Sequence, residues 1–208
     1  MLRLVLAVSL SVLIALTISA RADDLADCNQ SANEQRTIKG CTNLIKSKRL
    51  DKQNLAFAYS NRGEAYWKKG EHDRAIADYD EAIKINPKFA MPYNNRGVVY
   101  GAKGEFDRAI QDYDTAIKLF PKLANAYYNR GLAYAKKGEY DRAIQDHDQA
   151  IKLNPKDADA YYNRGNAYEN YRNEIFITQA IEDYRKALEL NPSHELARNK
   201  LKALGETP

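Results

Sequence analysis

From residue 56 onward, apolar and small residues fall into two alternating stripes, and polar residues occupy the positions between them. Tyr93, Gly97 and Tyr100 stand at i, i+4 and i+7, the spacing of one helical face, and Ala109, Ile110, Tyr113, Ala116 and Ile117 form a second such stripe. Between the stripes lies Lys103-Gly104-Glu105. Gly104 is suited to end the first helix in a left-handed conformation, and Asp107 to support the start of the second. Pro121 then stops the second helix, so the pattern predicts a helical hairpin.

The hairpin recurs. Counting Ala90 as position 1, the glycine at position 8 is Gly63, Gly97, Gly131 and Gly165, each 34 residues from the next. The alanine at position 20 is Ala75, Ala109, Ala143 and Ala180, and the proline at position 32 is Pro87, Pro121, Pro155 and Pro192. A fixed period of this length signals stacked supersecondary units. With no side chain at Gly97 and a methyl at Ala109, the helix axes are expected to approach closely while aromatic residues at positions 4, 11 and 24 fill the flanks. One hairpin cannot bury both of its faces, so stability has to come from stacking on neighbours.

From about Ala56 to Pro192 these residues resemble the tetratricopeptide repeat (TPR) family, with His147 the one departure at position 24. The resemblance implies an all-α fold, a right-handed solenoid of helical hairpins, acting as a protein-binding scaffold rather than an enzyme. Four repeats follow, at residues 56–89, 90–123, 124–157 and 158–192. Ahead of them, residues 23–55 read as a degenerate first unit, with a polar connection from Lys48 to Asn54. Behind them, residues 193–208 read as a capping helix and tail, with Ser193 as cap and Gly205 as stop. The fourth repeat is longer: Gly165 to Ala180 is 15 residues where Gly131 to Ala143 is 12. The addition falls in residues 170–178, which carry Tyr171, Ile175, Phe176 and Ile177, and is either a contact surface or a longer, tucked-in turn.

Position 7 holds Arg62, Arg96, Arg130 and Arg164, and position 23 holds Asp78, Asp112, Asp146 and Asp183. A partly buried guanidinium needs a carboxylate, so each arginine is expected to pair with the aspartate of its own repeat. In the family the concave surface is lined by the first helix of each repeat. Carried over, position 6 is Asn61, Asn95, Asn129 and Asn163, amides able to hold the backbone of an extended peptide, or else consensus residues that hold adjacent helices. Position 5 is Ser60, Asn94, Tyr128 and Tyr162; position 9 is Glu64, Val98, Leu132 and Asn166; position 12 is Trp67, Gly101, Ala135 and Glu169. One family subgroup grips acidic chaperone tails with lysines at positions 5 and 2. Here position 5 has no lysine, and position 2 is Phe57, Met91, Asn125 and Asp159.

Charge and chemistry narrow the classes further. The chain carries 32 basic and 28 acidic residues. Most belong to the repeat pattern and read as solvated helix faces, without the basic excess of a nucleic-acid binder. His72, His147 and His194 have no ligand spacing and no phosphate loop is present, so no catalytic set, cofactor or metal site is expected. Met1-Leu2-Arg3, the apolar run Leu4 to Ile18, and the small residues Ala20 and Ala22 have the form of a secretory signal peptide cut after Ala22. The alternative is an uncleaved membrane anchor, for which the run is short. Cleavage would give a periplasmic or secreted protein without a stable membrane span. There Cys28 and Cys41 would favour a disulfide over two buried thiols. They stand 13 residues apart, as Tyr66 and Tyr79 do, but at unequal distances from a turn near residues 31–33.

Overall fold

Each hairpin turns on a left-handed glycine. Gly70, Gly104 and Gly138 have φ of 75°, 78° and 78°, and each sits just past the end of a first helix. The glycine N–H and the N–H after it close back on the helix in the 5→2 and 6→1 pattern: Gly104 to Gly101 O at 3.0 Å and Glu105 to Tyr100 O at 2.9 Å, for example. The residue that completes this motif is already the N-cap of the second helix, so the connection is as short as the geometry allows. At the far end Asn86, Phe120 and Asn154 leave the helical conformation, with ψ of 86°, 85° and 84°, ahead of Pro87, Pro121 and Pro155.

The computed structural model describes residues 23–29, 33–171 and 174–207; the expected signal peptide, 1–22, lies outside them. Among the described residues every regular element is a helix. They are α1 (23–29), α2 (Glu34–Lys46), α3 (Lys52–Lys68), α4 (His72–Ile85), α5 (Ala90–Ala102), α6 (Phe106–Leu119), α7 (Ala124–Lys136), α8 (Tyr140–Leu153), α9 (Ala158–Asn170), α10 (Glu174–Leu190) and α11 (Glu195–Ala203). None is long and apolar enough to cross a membrane. They group into two compact units, divided within α5 between Asn95 and Arg96.

In the first unit α1 and α2 form a hairpin held by the Cys28–Cys41 disulfide, whose Cα atoms are 4.6 Å apart. The unequal distances of the cysteines from the turn do not prevent the bridge, because Gly40 leaves nothing between the helices. A Cβ there would lie 2.7 Å from Asp24 O and 3.0 Å from Cys28 N. Cys28, Cys41, Leu44 and Ala58 form one buried cluster, and a loop of this length is worth about 3 kcal/mol in chain entropy. Asp51 caps α3 by accepting from Asn54 N at 2.8 Å, so the expected connection from Lys48 to Asn54 gives way to helix from Lys52.

In both units the position-8 glycine lies under the ring at position 24. A Cβ on Gly63 would stand 2.9 Å from the Tyr79 ring, and on Gly97, Gly131 and Gly165 it would stand 2.7, 2.8 and 2.8 Å from the rings of Tyr113, His147 and Tyr184. The ring thus fills the glycine's space, and at Gly165 the carbonyl oxygen of the position-20 residue, Ala180, lies 3.2 Å away as well. The position-20 alanines are fully buried.

Two further corrections concern the C-terminal end. His194, not Ser193, caps α11, its Nδ1 accepting from Ala197 N at 3.2 Å; Ser193 instead bonds Asn191. The extra residues of the fourth repeat lengthen a helix, α10 having 17 residues where α8 has 14. There Phe176 stacks on Tyr168, ring centroids 5.4 Å apart, and meets Tyr171 edge-on at 4.8 Å. In the other repeats the same tyrosine position is covered by an arginine: Arg74 lies 3.9 Å from Tyr66, Arg108 3.9 Å from Tyr100 and Arg142 4.1 Å from Tyr134. Gln179 stands where that arginine would be, and its Oε1 is buried without a partner, so the added helical turn substitutes an aromatic lid for the missing cation.

Candidate functional site

The position-7 arginines tie the hairpins together. Arg62, Arg96, Arg130 and Arg164 each make two bonds of 2.6 to 2.8 Å to the carboxylates of Asp78, Asp112, Asp146 and Asp183, and all four aspartates are buried. A second tie escapes sequence reasoning. Arg130 Nη1 reaches back to Asp114 of the preceding repeat, and Arg164 Nη1 to Asp148, both at 2.5 Å. Arg130 thus bridges a carboxylate 16 residues ahead and another 16 behind, and Arg164 one 19 ahead, across the lengthened repeat, and one 16 behind. Burial opposes the charged form of Arg130, yet its bonds to Asp146 and Asp114 outweigh that and hold the guanidinium above its ordinary value. Removing one partner would leave a buried charge unpaired, a loss of about 3–5 kcal/mol.

This clamping leaves the first helices to present their other side. In the second unit, α7 is flanked by two hollows that share Leu132 and Lys136. One, of about 210 Å³, is lined by Val98, Gly101, Phe106, Asn129 and Ala133 among others. The other, of about 240 Å³, is lined by Ala135, Tyr140, His147, Asn163, Asn166 and Asn170. An apolar recess and an amide-rich one therefore lie side by side, with the Lys136 ammonium between them. In the first unit Asn61 and Glu64 line a smaller recess of about 100 Å³ beside Cys28.

The structure redistributes the expected lining. Positions 6, 9, 12 and 13 reach the hollows through Asn129, Leu132, Ala135, Lys136, Asn163, Asn166 and Asn170. Position 5 turns inward: Ser60 and Asn94 are buried, and the Asn94 amide donates to Asn95 Oδ1 at 3.0 Å. Tyr128 packs on His147 with centroids 5.7 Å apart, and Tyr162 on Tyr184 and His194 at 5.8 and 4.8 Å. Burial first, then Asp159 and Asp157, push the Tyr128 hydroxyl up to about 12, so it stays protonated.

Several amides already have internal partners. Asn163 Nδ2 donates to Tyr128 Oη at 3.0 Å and to Asp159 O at 2.8 Å. Asn61 Nδ2 donates to Cys28 O and to Asn29 Oδ1, both at 3.2 Å. Asn166 Oδ1 accepts from Tyr184 Oη at 3.0 Å. Trp67 lies against His72, centroids 4.9 Å apart, and lines none of these three recesses. Glu64 pairs with Lys68 at 2.8 Å. Glu169 is taken by Lys200 of the capping helix at 2.9 Å.

His147 behaves unlike the tyrosines whose position it takes. Tyr184 reaches Asn166 Oδ1 and Glu169 Oε2, whereas the shorter imidazole is fully buried with both nitrogens unpartnered. Burial, and then the charge of Arg164, lower its pKa to about 4.

The fold and its paired-helix clamps define a helical-repeat protein of the scaffold type. The family model described as TPR repeat matches residues 63–104, 102–138 and 133–170, and that described as Tetratricopeptide repeat matches residues 177–194. Together these cover more than half of the chain, which belongs to the tetratricopeptide repeat family. No curated protein matches it in sequence. A crystal structure of MamA is similar at 26% identity and a TM-score of 0.66, covering 78% of this chain and 91% of that one. MamA 41-end from Desulfovibrio magneticus RS-1 is similar at 20% identity and 0.70, covering 85% and 95%. The first TPR of Spaghetti (RPAP3), bound to the HSP90 peptide SRMEEVD, is similar at 23% and 0.57, covering 61% and 99%. Likeness at such identities speaks to fold.

His147 yields a pH prediction. Its folded pKa lies below the unfolded value, so its contribution is intact above about pH 6.5 and is lost as pH falls toward 4. Denaturant unfolding of the wild type and His147→Tyr, compared at pH 7 and pH 4, should show the variant gaining on the wild type by about 3 kcal/mol.

Proposed function

We propose that this chain is an exported, non-enzymatic scaffold that binds an extended segment of a partner protein along α7. The single observation that carries this reading is the pair of hollows sharing Leu132 and Lys136. A peptide laid across them would place an apolar side chain against Val98, Phe106 and Leu132, and its backbone within reach of the amides on α7 and α9. Few polar groups around an apolar recess is the arrangement that orients a bound chain. The RPAP3 domain supports the mode, since it holds a peptide in a structure of the same fold. It does not supply the ligand: the lysines at positions 5 and 2 that serve acidic chaperone tails are absent from this sequence.

Export rests on the N-terminal residues and on the disulfide, a bond that persists in oxidising compartments. Protein recovered from the exported fraction of its host should have an intact mass starting at Asp23 and lacking two hydrogens at Cys28 and Cys41. A chain retaining residues 1–22 in the membrane would overturn this half of the reading.

The binding half is tested by site-specific photocrosslinking. A crosslinker at Leu132 should capture partner protein. Asn129→Ala and Lys136→Glu should each weaken that capture about tenfold, the scale of one interface contact, with unfolding midpoints unchanged. Capture through a crosslinker at Glu182 or Tyr171 but not at Leu132 would assign binding to the second helices or to the lengthened α10, and would make the chain an assembly component instead.

A further inference from the structure

The interface between the first hairpin and α3 breaks a charge rule that the interfaces of the second unit obey. There, the cations reaching back to the preceding hairpin meet carboxylates: Arg130 meets Asp114 at 2.5 Å and Lys137 meets Asp107 at 2.6 Å. Arg164 likewise meets Asp148 at 2.5 Å, and beside it Tyr171 Oη is 3.4 Å from Asp141. In the first unit the same two places are neutral. Arg62 Nη1 meets Thr42 Oγ1 at 3.0 Å, and Lys69 meets Gln35 Oε1 at 3.0 Å.

The missing carboxylates leave a space and a charge. A hollow of about 510 Å³ opens here, lined by Lys39, Thr42, Arg62, Arg74, Asp78 and Ile38 among others. Asp78 offsets Arg62 and Glu71 offsets Arg74, while Lys39 is an exposed addition. Ala77, Gln111 and Gln145 stand at its place in the next three repeats. Arg62 keeps its charge: the hydrogen bonds it donates to Asp78 raise its pKa. Three cations thus line one hollow with a half-buried hydroxyl, Thr42 Oγ1, that can itself donate a hydrogen bond.

We propose that this hollow is an oxyanion site, taking a phosphate or carboxylate group into the place beside Arg62 Nη1 that Asp114 and Asp148 fill beside Arg130 and Arg164. The ligand supplies the charge that the later repeats carry built in. Thr42 and Lys39 complete its contacts, and Ile38 gives the rest of the molecule an apolar wall. Guanidinium and ammonium groups around a shared oxyanion make the strong, charge-assisted class of hydrogen bond. The site is on α2, α3 and α4, apart from the peptide face on α7, and stands independently of it.

Inorganic phosphate and acetate are the probes. Calorimetric titration of the full chain should show saturable binding that persists when chloride is held at matched ionic strength. Acetate in place of phosphate distinguishes a carboxylate source. Thr42→Asp restores the carboxylate found in later repeats, so it should keep the fold by circular dichroism and weaken phosphate binding about tenfold or more. Lys39→Gln, on an exposed side chain, should weaken it about threefold. A response no larger than that to chloride, or a Thr42→Asp protein that binds phosphate as the wild type does, would overturn the assignment.

Discussion

The contact on which the hairpins depend is a ring packed against bare backbone. At Gly63, Gly97, Gly131 and Gly165 a single added carbon would stand less than 3 Å from the ring at position 24, closer than side-chain carbons approach one another. The glycine is costly in a helix, by about 1 kcal/mol relative to alanine, and the chain bears that cost four times. The return is burial of a large aromatic ring between two helices, worth about 1.5–3 kcal/mol per side chain in area alone. Everything further out follows from that spacing. With the helices this close, the position-7 arginine can grip the position-23 aspartate with both nitrogens, and the position-11 tyrosine can take an arginine on its face.

In the second unit the arginines then fix the register of one hairpin on the next. Arg130 and Arg164 each hold one carboxylate of their own repeat and one of the repeat before, so a slip of one hairpin against the next would expose a buried charge. The clamp also segregates the molecule. Charged ties occupy one side of the first helices, which leaves small residues, amides and Lys136 to line the other. The clamps and the hollows therefore lie on different faces of the same helix.

Much of this was legible in the sequence because it depends on local period. The glycine, alanine and proline ladders mark the helices and turns, and the separation of Arg62 from Asp78 is the same in the next two repeats. What depends on the offset between hairpins was hidden. The ties from Arg130 to Asp114 and from Lys137 to Asp107 run backwards to a neighbouring repeat, and no stripe within one hairpin predicts them. Position 5 depends on neighbours in the same way: Asn94 is buried, while Tyr128 and Tyr162 are half-buried and pack on the rings of His147, Tyr184 and His194. Asn129, Asn163 and Asn166 do line the hollows. The addition in residues 170–178, open in the sequence to a contact surface or a longer turn, in fact lengthens α10 from Glu174, where Phe176 covers the tyrosine that an arginine covers elsewhere.

Gly97→Ala tests the central contact most directly, because two effects push its stability in opposite directions. In a helix position with open space the substitution would add about 1 kcal/mol through helix propensity. Against the Tyr113 ring, 2.7 Å from the new carbon, it should instead remove about 1–3 kcal/mol by overpacking. Equilibrium urea unfolding of the variant beside the wild type reads the sign: a lower midpoint is the predicted result, and an equal or higher one would contradict the account.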